Sequence, residues 1–500
     1  RFFSAVLLLA DKTVDIKRIT ATVIGEMNVI DLNNIEKYRE NNRIEAKKAT
    51  GGLPKSLWET YSSFANTLGG IILLGVEEYR DKSLHPVNLP DPDELIEEFW
   101  EIANDIQKVS TNILSYDDVY VQKIEEKHII VITVPKAKRF DRPVYLDGSI
   151  HNSYRRNGED YRCTLDQINA MVRDSKIKTQ DMNIIECMTA SVFNTDSLHS
   201  YRIKMSTVKP NNRLQNFSDK DFLQGIGAIG VGEDLLFHPT AAGLLMFGKS
   251  EFIKKEYPSY CLEYKETTQD DKHTIISSDL NSDCENLYDF FIKVFEKISY
   301  DIKLTANTKS DITPITTALQ EALANCLINA DYYGSNGVVV MKDDESITIS
   351  NPGGFRVELD AARAGGISDP RNTAIMRMFN LIGIGSNDGF GISNIFSVWK
   401  SHELVLPVIE ESFNPESITL KLSFVPESKS TKTQISQNRP DIETDRQDGV
   451  ISYITDNITV TSKEISELLG ISHKKSKQLL HRLMAKDFVI IKNGKYTLKA

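Results

Sequence analysis

The residues best able to do chemistry together lie in one run, Thr317 to Ser393. Glu321, Asn325 and Asn329 stand four apart, so on a helix they share one face. A carboxylate and a carboxamide aligned this way suit a metal-bound polyphosphate. The Asn325 amide oxygen can ligate Mg2+, and the Glu321 carboxylate can orient or deprotonate a water aimed at a γ-phosphate. Asn351-Pro352-Gly353-Gly354 follows a short strand-like run. Its glycines permit close backbone approach, and Asn351 can hydrogen-bond a base edge. The loop from Gly365 to Asn372 offers a flexible lid and, in Arg371, a fixed cation. The stretch from Gly383 to Ile392, with Gly389 and Gly391, brings backbone N–H groups into the start of a helix, an anion-binding arrangement.

These parts need elements to hold them. Leu319, Leu323 and Leu327 make an apolar stripe opposite the polar face, which predicts a helix packed on a core. Val338 to Met341 reads as a hairpin arm that turns at Asp343-Asp344-Glu345 into Ser346–Ser350. Upstream, Gly243-Leu244-Leu245-Met246-Phe247-Gly248-Lys249-Ser250 matches the P-loop pattern letter for letter. A P-loop must lie open so that its N–H groups face phosphates, whereas Leu-Leu-Met-Phe favours burial. The string therefore predicts a buried helix or strand ending in a turn. No set of helicase motifs stands beside it, so helicase activity is not the reading.

Towards the N-terminus, Leu53 to Thr67 predicts a helix, Leu68-Gly69-Gly70 its stop, and Ile71–Val76 a buried strand. A basic segment follows, with Lys136, Arg139, Arg155 and Arg156 as candidates for neutralising nucleic-acid phosphates. The Glu45-x-Lys47 pair, Phe64-Ala65-Asn66-Thr67-x-Gly69-Gly70 and Tyr154-Arg155-Arg156-x-Gly158 resemble the Schlafen/AlbA-like DNA-binding domain. The resemblance implies an α/β nucleic-acid-binding domain over residues 31–173. Schlafen nucleases carry two glutamates and a later aspartate in this domain. Glu40 and Glu45, with Glu77, Glu78 or Asp81, give the alternative of a metal-dependent nuclease in a defence or stress role.

The central run resembles the ATPase domain of the GHKL superfamily, and more closely the variant in proteins called RecG-like helicases or transcriptional regulators. That implies a GHKL-type α/β sandwich within residues 174–425 and the cofactors ATP and Mg2+. By resemblance Glu321 orients water, and Asn325 binds the metal. Asn351, Gly353 and Gly354 fill the adenine turn, and Gly389 and Gly391 the lid turn. Two positions depart from the pattern. Most members have aspartate where Asn351 stands, and the variant often has histidine at Asn329. A neutral amide accepts less strongly than a carboxylate. These departures favour an ATP-sensing switch, with weak ATPase activity or a RecG-like ATPase as alternatives.

Residues 426–447 are dense in Ser, Thr, Asp and Asn and read as a linker. Residues 448–500 resemble a winged helix-turn-helix, with Asn493-Gly494 as its hairpin turn. Its recognition-helix candidates are Lys474, Lys475, Lys477 and Arg482. This end is basic although the 500-residue chain carries −11, which suits DNA contact in the major groove. Five scattered cysteines without a C-x-x-C pair argue against a zinc site or a disulfide framework and for a cytoplasmic setting. Residues 1–30 read as an N-terminal extension, with Met27 as a plausible native start. The apolar stretch at Phe2–Ala10 is too short to span a bilayer. The expected whole is an α+β multidomain, nucleotide-responsive transcriptional regulator. Its expected partner is DNA, with RNA as an alternative. No membrane partner is expected, and a homo-oligomer is left open.

Overall fold

The computed structural model describes residues 32–267, 272–278, 284–305, 309–385 and 389–428. Beyond these it describes 461–462, 476, 480, 489–492 and 495–498. The expected N-terminal extension and most of the expected linker and winged helix fall outside the described residues. The architecture is mixed α+β, in two compact units that divide after Val425. Among the described residues no helix is long and apolar enough to cross a membrane.

The N-terminal part comprises β1 (Ile44–Lys47), α1 (Ser56–Ala65), β2 (Gly70–Leu74), β3 (Val76–Glu78), β4 (Leu84–Pro86) and α2 (Pro92–Ala103). It continues with β5 (Val119–Ile124), β6 (Lys127–Val134), β7 (Tyr145–Leu146), β8 (Ser149–Asn157), β9 (Glu159–Arg162) and α3 (Leu165–Ser175). A sheet of order β1-β2-β6-β5 forms its centre. Strand β2 is apolar throughout because both faces are covered. Ile72 and Leu74 pack with Tyr61 and Phe64, while Leu73 packs with Ile44 and Val131 on the other side.

The Phe64–Gly70 motif positions the basic strand β8. Buried Asn66 donates to the carbonyls of Val144 (2.8 Å) and Tyr154 (3.1 Å) and accepts from Val144 N–H (2.8 Å). Thr67 Oγ1 accepts from Arg156 N–H at 3.0 Å. Gly69 turns the chain at φ +72°, where a Cβ would meet the Val134 carbonyl at 2.7 Å.

The middle part contains α4 (Thr195–Val208), α5 (Asp219–Gly225), β10 (Ile229–Val231), β11 (Phe237–Pro239), α6 (Ala241–Phe247) and α7 (Ser250–Glu256). The P-loop-like string is helix α6 with the turn that follows it, and every residue of α6 is buried. A Cβ on Gly243 would lie 2.1 Å from the Ala228 carbonyl, so this glycine serves helix packing and its backbone does not face solvent.

The third part comprises β12 (Leu262–Thr267), β13 (Lys272–Ser277), α8 (Leu287–Thr305), α9 (Lys309–Asn329), β14 (Val338–Lys342) and β15 (Ser346–Pro352). It ends with α10 (Leu359–Ala364), α11 (Thr373–Leu381), α12 (Gly391–Ser401), β16 (Val408–Phe413) and β17 (Glu416–Ser423). Its six-stranded sheet runs β13-β12-β14-β15-β17-β16, antiparallel except for the parallel β12–β14 pair. Helices α8, α9 and α12 share one core with it, through Phe291, Leu323, Leu327, Ile347, Ile349 and Trp399. In the second unit, β18 (Val489–Lys492) and β19 (Lys495–Leu498) form an antiparallel hairpin. Lys474, Lys475, Lys477 and Arg482 lie outside the described residues.

Candidate functional site

A cleft opens between α9, the sheet, and the two loops that precede α11 and α12. It holds about 1240 Å³ including its mouth, ample for a nucleotide-sized ligand. Its apolar floor is the sheet face of Ile349, Ile409, Ile418 and Leu420, with Ile395 of α12 opposite. Its polar wall is Glu321, Asn325 and Asn329 of α9, facing Gly385, Gly389 and Gly391. The sequence-predicted residues Asn351, Gly354 and Arg371 also line it.

The polar wall is ordered by its own hydrogen bonds. Asn325 Nδ2 donates to Glu321 Oε1 at 3.2 Å. A Cβ added at Gly391 would fall 2.4 Å from Glu321 Oε1 and 2.9 Å from Asn325 Nδ2. The glycine therefore lets the carboxylate–amide pair close onto the first turn of α12, which has no side-chain cap. Gly389, at φ +74°, crosses against the Ile367 backbone, and Gly366 N–H donates to the Gly389 carbonyl at 3.2 Å. The two loops thus meet over the cleft.

Three other predicted residues take roles the sequence did not assign. Asn329 Nδ2 donates to the Asn325 carbonyl (2.9 Å), and its Oδ1 accepts from Arg371 N–H (3.3 Å), so it ties the end of α9 to the loop. Asn351 is buried and donates to the Pro352 carbonyl at 3.1 Å. Arg371 is not an open cation for phosphate. Its guanidinium donates to the Asn329 carbonyl (2.9 Å), the Gly354 carbonyl (2.9 Å) and the Asp174 carboxylate. Gly353, at φ +92°, lets that guanidinium lie against the turn, since a Cβ there would sit 2.8 Å from Arg371 Nη2. Gly354 likewise admits the Glu411 and Glu416 carboxylates, each 2.6 Å from the position of a Cβ. Asn372, which the sequence reading did not single out, donates to the Ile328 (3.0 Å) and Ala330 (2.8 Å) carbonyls and so satisfies the end of α9.

The basic segment also departs from expectation. Lys136, Arg139, Arg155 and Arg156 do not form an open face; all four are buried against carboxylates. Lys136 Nζ lies 3.4 Å from Glu411, Arg139 Nε 2.5 Å from Asp369, and Arg155 Nη2 3.2 Å from Glu416. Arg156 pairs within its own domain, with Glu45 (2.8 Å) and Asp160 (2.9 Å). Arg356 and Arg371 both clamp Asp174, at the end of α3. Burial would raise the Asp174 pKa, but these two guanidiniums outweigh it and hold the carboxyl below its ordinary range. The joint between the N-terminal and third parts is therefore ionic. Its acidic members, Asp174, Asp369, Glu411 and Glu416, carry no local sequence signal.

Glu40 and Glu45 do come together near the end of β1. Burial, with the nearby charges of Glu45 and Glu78, raises the Glu40 pKa against an opposing hydrogen bond from Ala46 N–H. Glu45 itself is occupied by Lys47 (2.6 Å) and Arg156 (2.8 Å). Among the described residues no group of three His, Cys, Asp or Glu could hold a metal ion. The predicted carboxylate triad for a nuclease is thus not assembled there.

Two family models match separate parts of this layout. A family model described as "Schlafen, AlbA_2" matches residues 40–164, and one described as "Putative ATP-dependent DNA helicase recG C-terminal" matches residues 335–420. A third, "Domain of unknown function (DUF8451)", matches residues 169–263. Among solved structures, the DIP2311 protein from Corynebacterium diphtheriae is 15% identical over 92% of each chain, with a TM-score of 0.39. The N-terminal domain of a putative ATP-dependent DNA helicase RecG-related protein from Nitrosomonas europaea is 29% identical. That match covers 26% of this chain and 89% of that one, with a TM-score of 0.20. No curated protein matches the chain. By the two family matches, the chain joins a Schlafen AlbA_2 domain to a C-terminal domain of the RecG-like HATPase type.

Proposed function

We propose that the cleft binds ATP with Mg2+ and that the chain is a nucleotide-responsive, DNA-binding regulator of transcription. The observation that carries the reading is the Glu321–Asn325 pair closed onto Gly391, beside an apolar sheet floor. The floor suits a purine, and the glycine turn and first turn of α12 suit phosphates. Asn325 and the phosphates would hold the metal, whose positive charge would offset Glu321 against the polyphosphate. That charge matters because both arginines lining the cleft, Arg356 and Arg371, are committed to Asp174. Glu321, held by the Asn325 amide, is placed to orient a water, so slow hydrolysis is compatible with the same geometry.

The DNA-binding half of the reading rests on the AlbA_2 match and on the basic C-terminal end of the sequence. A helicase is not proposed, because the P-loop-like string is a buried helix. The test is calorimetry of the full chain with MgATP. Micromolar binding is expected, lost on chelation of Mg2+ and weakened at least about ten-fold by Asn325→Ala. No heat of binding from the unsubstituted chain would sink the proposal.

A further inference from the structure

The basic strip of the AlbA_2 domain is a surface of the kind that meets phosphates, yet it is covered from within the same chain. Lys136, Arg139 and Arg155 face Glu411, Asp369 and Glu416 of the RecG-like domain. Arg142, also buried, lies in the field of Glu416 and Glu411. The cover fits unevenly, closely at Arg139–Asp369 and loosely elsewhere. The Lys136–Glu411 contact is long, at 3.4 Å. Arg155 keeps Nε and Nη1, and Arg142 keeps Nε, buried without a hydrogen-bond partner. Buried donors are ordinarily satisfied, and buried ion pairs return little net stability. An interface serving only as glue has no use for surplus guanidinium donors. A phosphodiester backbone, with several acceptor oxygens per unit, would use them.

Two further features point the same way. Phe140 is 55% exposed beside the strip, with the Arg139 guanidinium 3.9 Å from its ring centroid. An exposed aromatic next to clustered cations is a stacking platform for a base. Two of the covering carboxylates also adjoin the cleft. Asp369 lines it, and Glu411 Oε1 accepts from the N–H of Phe355, another lining residue, at 2.9 Å.

We propose that Lys136, Arg139, Arg142 and Arg155 form a nucleic-acid surface held shut in cis, with Asp369, Glu411 and Glu416 standing where backbone phosphates would lie. Nucleic acid reaches the strip only when the two domains part. Because Asp369 lines the cleft and Glu411 is held by a lining residue, the occupant of the cleft sets how firmly the latch closes. This rests on the reading of the strip as a nucleic-acid contact.

The test uses the full chain with Lys474→Ala, Lys475→Ala and Lys477→Ala, so that tail cations do not contribute. It is titrated against a short fluorescent DNA duplex by anisotropy. Adding Asp369→Asn, Glu411→Gln and Glu416→Gln is expected to tighten binding about ten-fold with a steeper salt dependence. Arg139→Ala is expected to remove much of that gain. A folded latch variant with the parent's affinity overturns the latch. If Arg139→Ala then weakens binding, the strip contacts nucleic acid unlatched; if neither chain binds duplex, the strip is no nucleic-acid surface at all. Should the latch variant fail to fold, hydrogen exchange on the parent decides. Saturating duplex is expected to speed exchange across residues 365–372 and 408–416, and unchanged exchange there overturns the proposal.

Discussion

Gly353 carries two constraints at once. Its φ of +92° is a conformation L-residues rarely adopt, and the Arg371 guanidinium fills the space of a side chain. Gly353→Ala is therefore expected to cost about 1–3 kcal/mol, read as a lower denaturant midpoint at unchanged slope. An unaltered midpoint would mean that the turn relaxes freely. The same residue marks how far the sequence could be read. The helical spacing of Glu321 and Asn325 and the order of the glycine turns predicted a cleft, and those residues do line one. Arg371 was legible as a fixed cation, but its partners are Asp174 and two backbone carbonyls. A pair separated by 197 residues leaves no trace in local pattern. Arginine facing phosphate and arginine facing a distant carboxylate look the same in sequence.

At the scale of the element, helix α6 shows burial overriding a motif. Gly243 to Ser250 has every letter of a P-loop, but α6 is wholly buried. Lys249, where a P-loop would place its phosphate lysine, instead precedes α7 at its N-cap position. Lys249→Ala is accordingly expected to leave MgATP affinity within about two-fold, since losing a phosphate-binding lysine would cost far more. A large loss in calorimetry would bring the P-loop reading back. Helix α1 shows the reverse, a motif whose meaning is structural. Asn66 joins α1 to Val144 and Tyr154 by three hydrogen bonds, so Asn66→Ala leaves buried backbone groups unpaired. A loss of about 2–4 kcal/mol is expected, from two such groups, the Val144 N–H and the Tyr154 carbonyl, at ~1–3 kcal/mol each, since Ser62 Oγ still donates to the Val144 carbonyl. Denaturant unfolding checks it, and a loss under 1 kcal/mol would assign the motif's effect to its glycines alone. The helix, its glycine stop and the buried strand were readable from periodicity and turn chemistry. That Asn66 and Thr67 reach β8, some 90 residues on, was not.

For the whole first unit, the joint between domains is built from charge, so its strength depends on pH. Burial raises the Asp174 and Glu416 pKa values, but neighbouring guanidiniums outweigh it. Arg371 and Arg356 act on Asp174, and Arg155 and Arg371 on Glu416, leaving both carboxyls below their ordinary 3.8 and 4.5. Between the lowered folded value and the ordinary unfolded one, the unfolded chain binds more protons, so stability rises with pH across that window. The contribution is complete above about pH 5 and is lost as pH falls through the folded values. Asp174→Asn should make the separation concrete. Removing one member of a buried pair costs about 3–5 kcal/mol near neutrality, because Arg356 and Arg371 keep their charges. The variant has then less to lose on acidification. Calorimetric scans from pH 7 to pH 3 are expected to show a low, shallow profile for the variant. The parent's profile should be higher, flat to about pH 5 and steep below. Equal slopes in the two chains would place the acid sensitivity elsewhere, and Asp174 would then be a packing residue and not the ionic joint between the AlbA_2 domain and the RecG-like domain.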